Sequence, residues 1–283
     1  MNLGIICYSN QYLNKPLDYM RLLLPIILLF SLLTAGCSDD PTKSDPYADW
    51  TAEDFYDQAK SSLAAGEFQT AITHLESLEA RFPFSSYARQ AQLDVAYAYY
   101  KFEEPDSTIA AADRFIRLNP RDPNVDYALY LKGLSNFNRG KGIMESWFPR
   151  NLADHDTKTM NDAIQDFSSL IKRYPDSKYS ADAYKRLIYL KNELAEHEIG
   201  VAEYYIKRKA WLAAAKRAQY TLEHYQETQS SRRALEIMAQ AYKELGLNTL
   251  LADIEQIIQV NKTEVFATAE VDTETLEPPG ISN

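Results

Sequence analysis

The residues best suited to acid–base or metal chemistry are four histidines, and their spacing matches no catalytic site. They are His74, His155, His197 and His224. The sequence has no HExxH stretch, no nucleotide-binding glycine loop and no G-x-S-x-G nucleophile turn. Asp154 and Asp156 flank His155, but adjacent residues on a short loop rarely converge on one metal ion. We therefore predict a binding protein with no enzyme activity, no cofactor and no metal.

Cys37 is the residue most suited to covalent modification, because it follows a short apolar segment. Leu22–Ala35 has 14 residues, fewer than the roughly 20 that span a membrane and within the roughly 7–15 of a signal-peptide core. We expect residues 1–36 to be a signal peptide, with Met20 as a candidate true start, and residues 37–49 to be a polar tether. Cys7 is then removed, and one remaining cysteine excludes an internal disulfide and a thiolate zinc site.

The residues before Cys37, Thr34-Ala35-Gly36, resemble the lipobox of bacterial lipoproteins. They depart from it at Thr34, where leucine is more usual. The resemblance implies cleavage before Cys37 and acylation of its thiol and amino group, which makes a stable membrane anchor. Because Ser38, and not aspartate, follows the cysteine, it also implies sorting to the outer membrane. An ordinary secretory signal with an incidental cysteine is the alternative.

The net charge of the chain excludes some classes of partner. It is −10, and residues 1–36 carry Lys15, Arg21 and Asp18, a net +1, so their removal leaves −11. Nucleic-acid binding depends on neutralising phosphates with Lys and Arg, and a polybasic hold on anionic lipid needs the same residues. We therefore expect no nucleic-acid partner, and membrane attachment through the lipid at Cys37 alone.

The elements that must position any binding residues are helices in a repeating pattern. A small residue is followed by apolar residues four and seven positions later, and often by proline twelve later. Three copies fit well and two more loosely, with Glu255 as a departure. The copies are Ala71, Leu75, Leu78, Pro83; Thr108, Ala112, Phe115, Pro120; Ala163, Phe167, Leu170, Pro175; Ala214, Ala218, Thr221, Gln226; and Leu251, Glu255, Ile258, Thr263.

The repeats begin 37 residues apart, except that two intervals are longer by 18 and 14 residues. The extra 18 fall around Arg139–Thr157, and the extra 14 lengthen a helix near Ser180–Lys209, where Gly200 could allow a bend. Helix starts also follow expected forms, with a capping box at Thr51–Asp54 and Pro123 as a first helical residue.

This pattern resembles the tetratricopeptide repeat, in which stacked helix pairs share one core. The predicted fold is all-α: a superhelix of about five helix pairs, with an insertion in the third pair and a long first helix in the fourth. A generic helical bundle is the alternative. We expect N-terminal repeats over residues 50–177, C-terminal repeats over 178–262 and a disordered tail over 263–283.

A groove for a partner would lie along the first helix of each pair in such a superhelix. Tyrosine rings there offer an apolar face and a polar edge at low entropic cost, while lysines could bind a terminal carboxylate. An error of one residue in the repeat frame would place a ring in the core instead. The candidate groove residues are Tyr56, Lys60, Phe84, Tyr97, Tyr100, Lys101, Tyr127 and Tyr130.

Positive charge is concentrated near the C-terminal end of the repeats. One explanation is a helix face exposed to solvent. The other is a docking surface for an acidic partner, because complementary charges fix how two proteins align. Arg217 is the preferred contact, with Arg208 and Arg232, since arginine can hold a carboxylate through two hydrogen bonds. The basic residues are Lys207, Arg208, Lys209, Lys216, Arg217, Arg232 and Arg233.

Several stretches resemble the BamD (ComL) family, the repeat lipoproteins of the outer-membrane β-barrel assembly machine. They include RFPFSSY at 81–87, QLDVAYAYYK at 92–101, DRFIRLNP at 113–120 and NVDYALYLKGL at 124–134. The resemblance runs from Cys37 to about Asn261. It implies a periplasmic scaffold on the outer membrane that docks the barrel-forming core subunit through its C-terminal repeats, acts with accessory lipoproteins, and receives the C-terminal targeting signal of unfolded barrel proteins in its N-terminal groove.

Two other functions remain open at this point. A generic repeat lipoprotein could position cell-wall or secretion factors, and an unrecognised enzyme or metal-dependent protein could use the same helices. The insertion contains Trp147-Phe148-Pro149, which could cover the groove, dock a partner or pack on the third pair.

Overall fold

The computed structural model describes residues 45–139, 157–263 and 266. Within these ranges the regular structure is ten α-helices, and the residues from Trp50 onward belong to one compact unit. The helices are α1 Ala52–Ala64, α2 Phe68–Arg81, α3 Ala88–Lys101, α4 Pro105–Leu118, α5 Val125–Asn138, α6 Thr157–Arg173, α7 Ser180–Lys207, α8 Trp211–His224, α9 Ser230–Glu244 and α10 Asn248–Val260.

The helices form five consecutive pairs, from α1–α2 to α9–α10. Each helix packs on the next along the chain, and first helices of neighbouring pairs also contact one another: α1 with α3, α3 with α5, and α7 with α9. This is the arrangement in which no single pair encloses its own apolar face and stacked pairs share a core. The predicted all-α, tetratricopeptide-type fold is confirmed.

The repeat positions form the core between the paired helices. In the first four pairs every small and apolar repeat position is at most 1% exposed. In the fifth pair the predicted frame is wrong, since Glu255 is exposed and Ile254 is buried. A carboxylate cannot enter an apolar core unpaired, so α10 turns Ile254 and Ile258, one helical turn apart, toward α9.

Prolines end the second helix of the first three pairs. Helices α2, α4 and α6 each stop two residues before Pro83, Pro120 and Pro175, because the residue before a proline is disfavoured in helical geometry. Phe82 and Asn119 indeed have non-helical backbone angles of φ −129° and −127°.

One predicted helix start is confirmed and one is wrong. Thr51 and Asp54 form the expected capping box, each side chain accepting a hydrogen bond from the other's backbone N–H. Pro123, by contrast, precedes α5, which begins at Val125. The Asp122 carboxylate accepts a hydrogen bond from the Asn124 backbone N–H at 2.8 Å, so a turn stands where the sequence predicted the first helical residue.

The two longer intervals lie where the spacing placed them. Helix α7 is one helix of 28 residues, about 42 Å long at 1.5 Å per residue, and it runs through Gly200 without a break. Helices α5 and α6 are separated by the predicted insertion, most of which (140–156) lies outside the described residues. The predicted signal peptide, Cys37 and almost all of the C-terminal tail also lie outside them.

Candidate functional site

The first helices of the first two pairs bring several predicted groove residues together around one carboxylate. Tyr56 on α1 donates a hydrogen bond from its hydroxyl to Asp94 on α3 at 3.0 Å, and the Gln90 side chain donates a second at 2.7 Å. Lys60, one turn along α1 from Tyr56, contributes favourable charge to Asp94. We call Tyr56, Lys60, Gln90 and Asp94 the Asp94 cluster.

Burial controls the ionisation of this cluster. Asp94 is 0% exposed, and removal from water raises the pKa of its carboxyl group, although the hydrogen bonds and Lys60 oppose the shift. Burial and the neighbouring Asp94 also raise the pKa of Tyr56. The cluster therefore has a polar interior covered by a half-buried tyrosine, and it contains no group activated as a nucleophile.

Tyr97 and Tyr100 extend this surface along α3. Both rings are half-buried and pack against the core shared with α5. The Tyr100 hydroxyl accepts a hydrogen bond from the Asn138 side chain at 2.9 Å, which joins α3 to α5. Together with Tyr56, these rings present aromatic edges from the first helices of two adjacent pairs.

Tyr127 and Tyr130, in contrast, do not line an accessible groove. They are 1% and 0% exposed, so their assignment to the groove is wrong for this structure. Helix α5 is enclosed by the helices on either side of it and by α3, and both of its tyrosines pack against Tyr179 with ring centroids 5.0 Å apart. The Tyr130 hydroxyl donates to Asp182 of α7 at 2.6 Å, which joins the third pair to the fourth.

Lys101 and Phe84 lie apart from the Asp94 cluster. Lys101 is seven residues beyond Asp94 on α3, about 10 Å at 1.5 Å per residue, and its ammonium group faces the ring of Phe68 at 5.9 Å. Phe84, in the link between α2 and α3, is 99% exposed. It is thus a fully accessible aromatic ring, but no contact joins it to the tyrosines of α1 and α3 among the described residues.

Sequence reasoning missed two buried polar groups. The first is Asp94, which lies within the apolar run LDVAYAY. A single carboxylate in a run that is otherwise buried indicates a polar group with partners inside the core. Arg186 was the second: it is 2% exposed, donates from Nε to Asp182 at 2.6 Å, and lies 5.1 Å over the ring of Phe137. Arg186 follows Asp182 by four residues on one helix, and this spacing predicts an ion pair between them.

The three predicted docking arginines each make a separate contact. Arg217 of α8 pairs with Glu198 of α7 at 2.7 Å. Arg208 directly follows α7, and its guanidinium lies 4.8 Å over the ring of Tyr204. It is ten residues beyond Glu198, which is about 15 Å along the helix. Arg232 donates to the carbonyl of Lys262 at 3.4 Å. The basic residues are therefore distributed along the C-terminal repeats and already partly engaged within the chain.

The histidines in the described ranges do not assemble a metal site. His74 is buried and stacks on Trp50 at 5.4 Å, and His224 stacks on Tyr220 at 3.9 Å. Residues 45–139 and 157–263 contain no group of three His, Cys, Asp or Glu side chains able to hold an ion. His155 and its flanking aspartates lie outside these ranges. None of the helices in them is long and apolar enough to cross a membrane.

Comparison with known proteins identifies the family of the chain. A family model described as "Outer membrane lipoprotein" (YfiO) matches residues 48–257. The outer membrane protein assembly factor BamD of Neisseria meningitidis serogroup A is 43% identical over 213 residues, which are 75% of this chain and 80% of the relative. BamD of Vibrio cholerae is 38% identical over 235 residues, 83% and 96% of the two chains.

The similarity extends over most of the length of a third relative. BamD of Haemophilus influenzae is 35% identical over 256 residues, covering 90% of this chain and 97% of the relative. Residues 48–257, which the family model matches, contain α1 to α9, most of α10, the Asp94 cluster, and Arg208, Arg217 and Arg232. The chain belongs to the family of outer membrane lipoproteins that includes the outer membrane protein assembly factor BamD.

Proposed function

We propose that this protein is a non-enzymatic scaffold for assembling β-barrel proteins in the outer membrane. Its N-terminal repeats bind the C-terminal targeting signal of an unfolded barrel protein, and its C-terminal repeats dock the barrel-forming core subunit. Family membership supports the general role, since the relatives are named as outer membrane protein assembly factors. The chemistry is binding and transfer, in which no covalent bond is made or broken.

The observation that carries the proposal is the half-buried tyrosine surface on α1 and α3. Tyr56, Tyr97 and Tyr100 are partly exposed, although each is held by the core or by a hydrogen bond. Rings that are already ordered lose little entropy when a partner covers them, so their contact area contributes to affinity. This surface suits an extended peptide with aromatic side chains, and Lys60 supplies an ammonium group for its terminal carboxylate.

Attachment and docking complete the proposed role. A lipid on Cys37 would hold the repeats at the periplasmic face of the outer membrane, where barrel proteins are inserted. Arg217, with Arg208 and Arg232, would contact acidic groups of the core subunit, while accessory lipoproteins occupy other surfaces. Arg217 is suited to this because its guanidinium group is held in place by Glu198 and still partly exposed.

The aromatic surface can be tested with a peptide that ends in phenylalanine. Removing both rings with Tyr97→Ala and Tyr100→Ala should weaken binding at least about tenfold, because two buried aromatic contacts contribute more than about 1.4 kcal/mol. Isothermal titration of the purified chain measures the affinity, and circular dichroism checks that the double variant is folded.

The matched control is Tyr184→Ala, which removes a 53% exposed tyrosine from α7. It should leave the peptide affinity unchanged, since the ring lies outside the proposed surface. Equal affinity for the wild-type chain and the folded double variant would remove Tyr97 and Tyr100 from the site.

A further inference from the structure

The last helix pair borders a cavity that the proposed function does not use. The cavity has a volume of about 580 Å³, within the roughly 300–1,000 Å³ typical of ligand pockets. It lies where α8, α9 and α10 meet, and within the described residues no helix follows α10 to cover it. Its apolar lining residues are Leu222, Leu235, Ile254, Ile257, Ile258 and Phe266.

The cavity has a recessed apolar floor and a more exposed rim. Leu235 and Ile254, at the floor, are each 8% exposed, whereas Ile257 on the rim is 42% exposed. The other apolar lining residues are half-buried. A narrow hydrocarbon chain can reach such a floor, whereas a broad, flat surface of another protein would rest on the rim. The shape of the cavity therefore favours a ligand with a single apolar chain.

The polar part of the rim carries positive charge. Arg232 of α9 and Lys262, just after α10, both line the cavity and are exposed. The Arg232 guanidinium donates a hydrogen bond to the Lys262 carbonyl at 3.4 Å, which brings the two residues together. Glu236 is the one carboxylate among the described lining residues, and it pairs with Arg233 at 3.0 Å. An anionic group is therefore favoured at this rim, because a guanidinium group binds carboxylates and phosphates well.

We propose that this cavity binds an anionic amphiphile with one hydrocarbon chain, such as a fatty acid or a lysophospholipid. The chain lies on Leu235 and Ile254, and the anionic head lies against Arg232 and Lys262. The proposal goes beyond the assembly role, because neither client binding nor docking requires such a ligand. Since Arg232 also belongs to the proposed docking surface, the decisive variants are placed on α10.

Hydrogen–deuterium exchange on the full chain measures the binding of octanoate and locates it. The chain is reconstituted in nanodiscs of zwitterionic lipid, because detergent would compete for an apolar cavity. At ten times the dissociation constant, amides of α9 and α10 that open only when the site is empty should exchange about tenfold more slowly. Amides of α1 to α3 should be unaffected.

A series of related probes separates the chain from the head. Each buried methylene raises affinity by up to about fourfold, so octanoate should bind about tenfold more tightly than hexanoate. Octylammonium, which has the same chain and the opposite charge, should give no protection. Tighter binding of octyl phosphate than of octanoate would identify a lysophospholipid head, and the reverse order a fatty acid; both results support the proposal.

Two substitutions on α10 form a matched pair. Ile257→Asp places a carboxylate in the cavity wall and should raise the octanoate concentration at half-protection more than about tenfold, because an unpaired charge beside hydrocarbon is costly. Val260→Asp adds the same charge to the same helix at a residue that is 74% exposed and outside the lining. It should leave this concentration nearly unchanged, and circular dichroism checks that both variants are folded.

The role of the rim is tested on α9. Arg232→Ala should raise the octanoate concentration at half-protection about tenfold, because it removes a charged hydrogen-bond donor. Lys243→Ala, which removes another exposed cation from α9, is the control and should have no effect.

Four results would overturn the proposal. Equal protection by octylammonium and octanoate would remove the positive rim from recognition. Equal effects of Ile257→Asp and Val260→Asp would place the amphiphile elsewhere. No saturable protection by octanoate, together with loss of partner capture in Ile257→Asp, would make the cavity a protein-docking surface. Sedimentation of the chain with phosphatidylglycerol vesicles, without protection by octanoate, would assign the positive rim to a contact with the bilayer.

Discussion

A charged residue is buried at each of two joins between helices, Asp94 at one and Arg186 at the other, and each has polar partners. Asp94 receives hydrogen bonds from Tyr56 and Gln90 between α1 and α3. Asp182 receives them from Tyr130 and Arg186 between α5 and α7. Burying a charge without partners is costly, so these contacts constrain which helix faces can meet.

Asp94 leads to a pH-dependent prediction at the residue scale. Its pKa is raised in the folded chain, so its contribution to stability is full below the unfolded pKa and is lost as pH rises through the folded pKa. Asp94→Asn removes this titration. The unfolding free energy of wild type relative to Asp94→Asn should therefore rise as the pH is lowered from about 7.5 to about 4.5.

Urea unfolding monitored by circular dichroism at both pH values measures this difference. Asp57→Asn, which changes an exposed carboxylate on α1, provides the matched control and should show a smaller change. A difference between wild type and Asp94→Asn that is constant, or that falls at low pH, would contradict the raised pKa of Asp94.

At the scale of elements, two helical glycines have opposite surroundings. Gly200 is exposed inside α7, and a Cβ added there would meet no other atom within 4 Å. Gly133 is buried inside α5, and a Cβ there would overlap the ring of Phe167 from α6. The first glycine only weakens its helix, whereas the second allows two helices to approach closely.

Substituting alanine at the two glycines should therefore change stability in opposite directions. Gly200→Ala should raise the unfolding free energy by about 0.5–1 kcal/mol, because alanine restricts the unfolded chain and favours the helix. Gly133→Ala should lower it by about 1–3 kcal/mol, because the ring must move in a packed core. Urea unfolding measures both, and a loss of stability in Gly200→Ala would indicate that α7 needs a bend at this position.

At the scale of the whole molecule, the two proposed binding functions lie on different helix pairs. The aromatic surface belongs to α1 and α3, and the docking arginines lie at the end of α7 and on α8 and α9. Between them, Tyr130, Asp182 and Arg186 connect the third pair to the fourth. One stack can therefore bind an unfolded client and a partner subunit through separate surfaces.

Arg217→Glu should reduce capture of the barrel-forming core subunit from solubilised outer membranes by about tenfold or more, because reversing one charge of a buried pair is strongly unfavourable. The variant also disrupts the ion pair with Glu198, so Glu198→Gln is the control: it removes that ion pair, keeps Arg217 and a neutral hydrogen-bond acceptor beside it, and should retain capture. Co-purification followed by mass spectrometry measures the yield.

Normal capture by Arg217→Glu would show that this arginine is only part of a solvated surface. Co-isolation with cell-wall enzymes, and without a large barrel protein, would favour the general lipoprotein scaffold over a role in barrel assembly.

The sequence by itself determined the helices, their pairing and the core positions between paired helices in the first four pairs. Spacings of four and seven residues depend only on the geometry of one helix, and the effect of proline on helix ends is local. Small and apolar residues at these spacings, such as Ala71 and Leu75, are buried as the pattern predicted. The same local rules predicted the length of α7 and the capping box at Thr51.

Only the tertiary structure decided which residues of the first helices remain accessible. Tyr97 and Tyr127 have the same residue type and similar repeat positions, yet Tyr97 is half-buried and Tyr127 is enclosed. Their exposure depends on how many neighbouring helices cover each one, and this is set by contacts between residues far apart in the chain. Asp94 is buried for the same reason, since its burial and its hydrogen bond from Tyr56 exist only when α1 packs on α3.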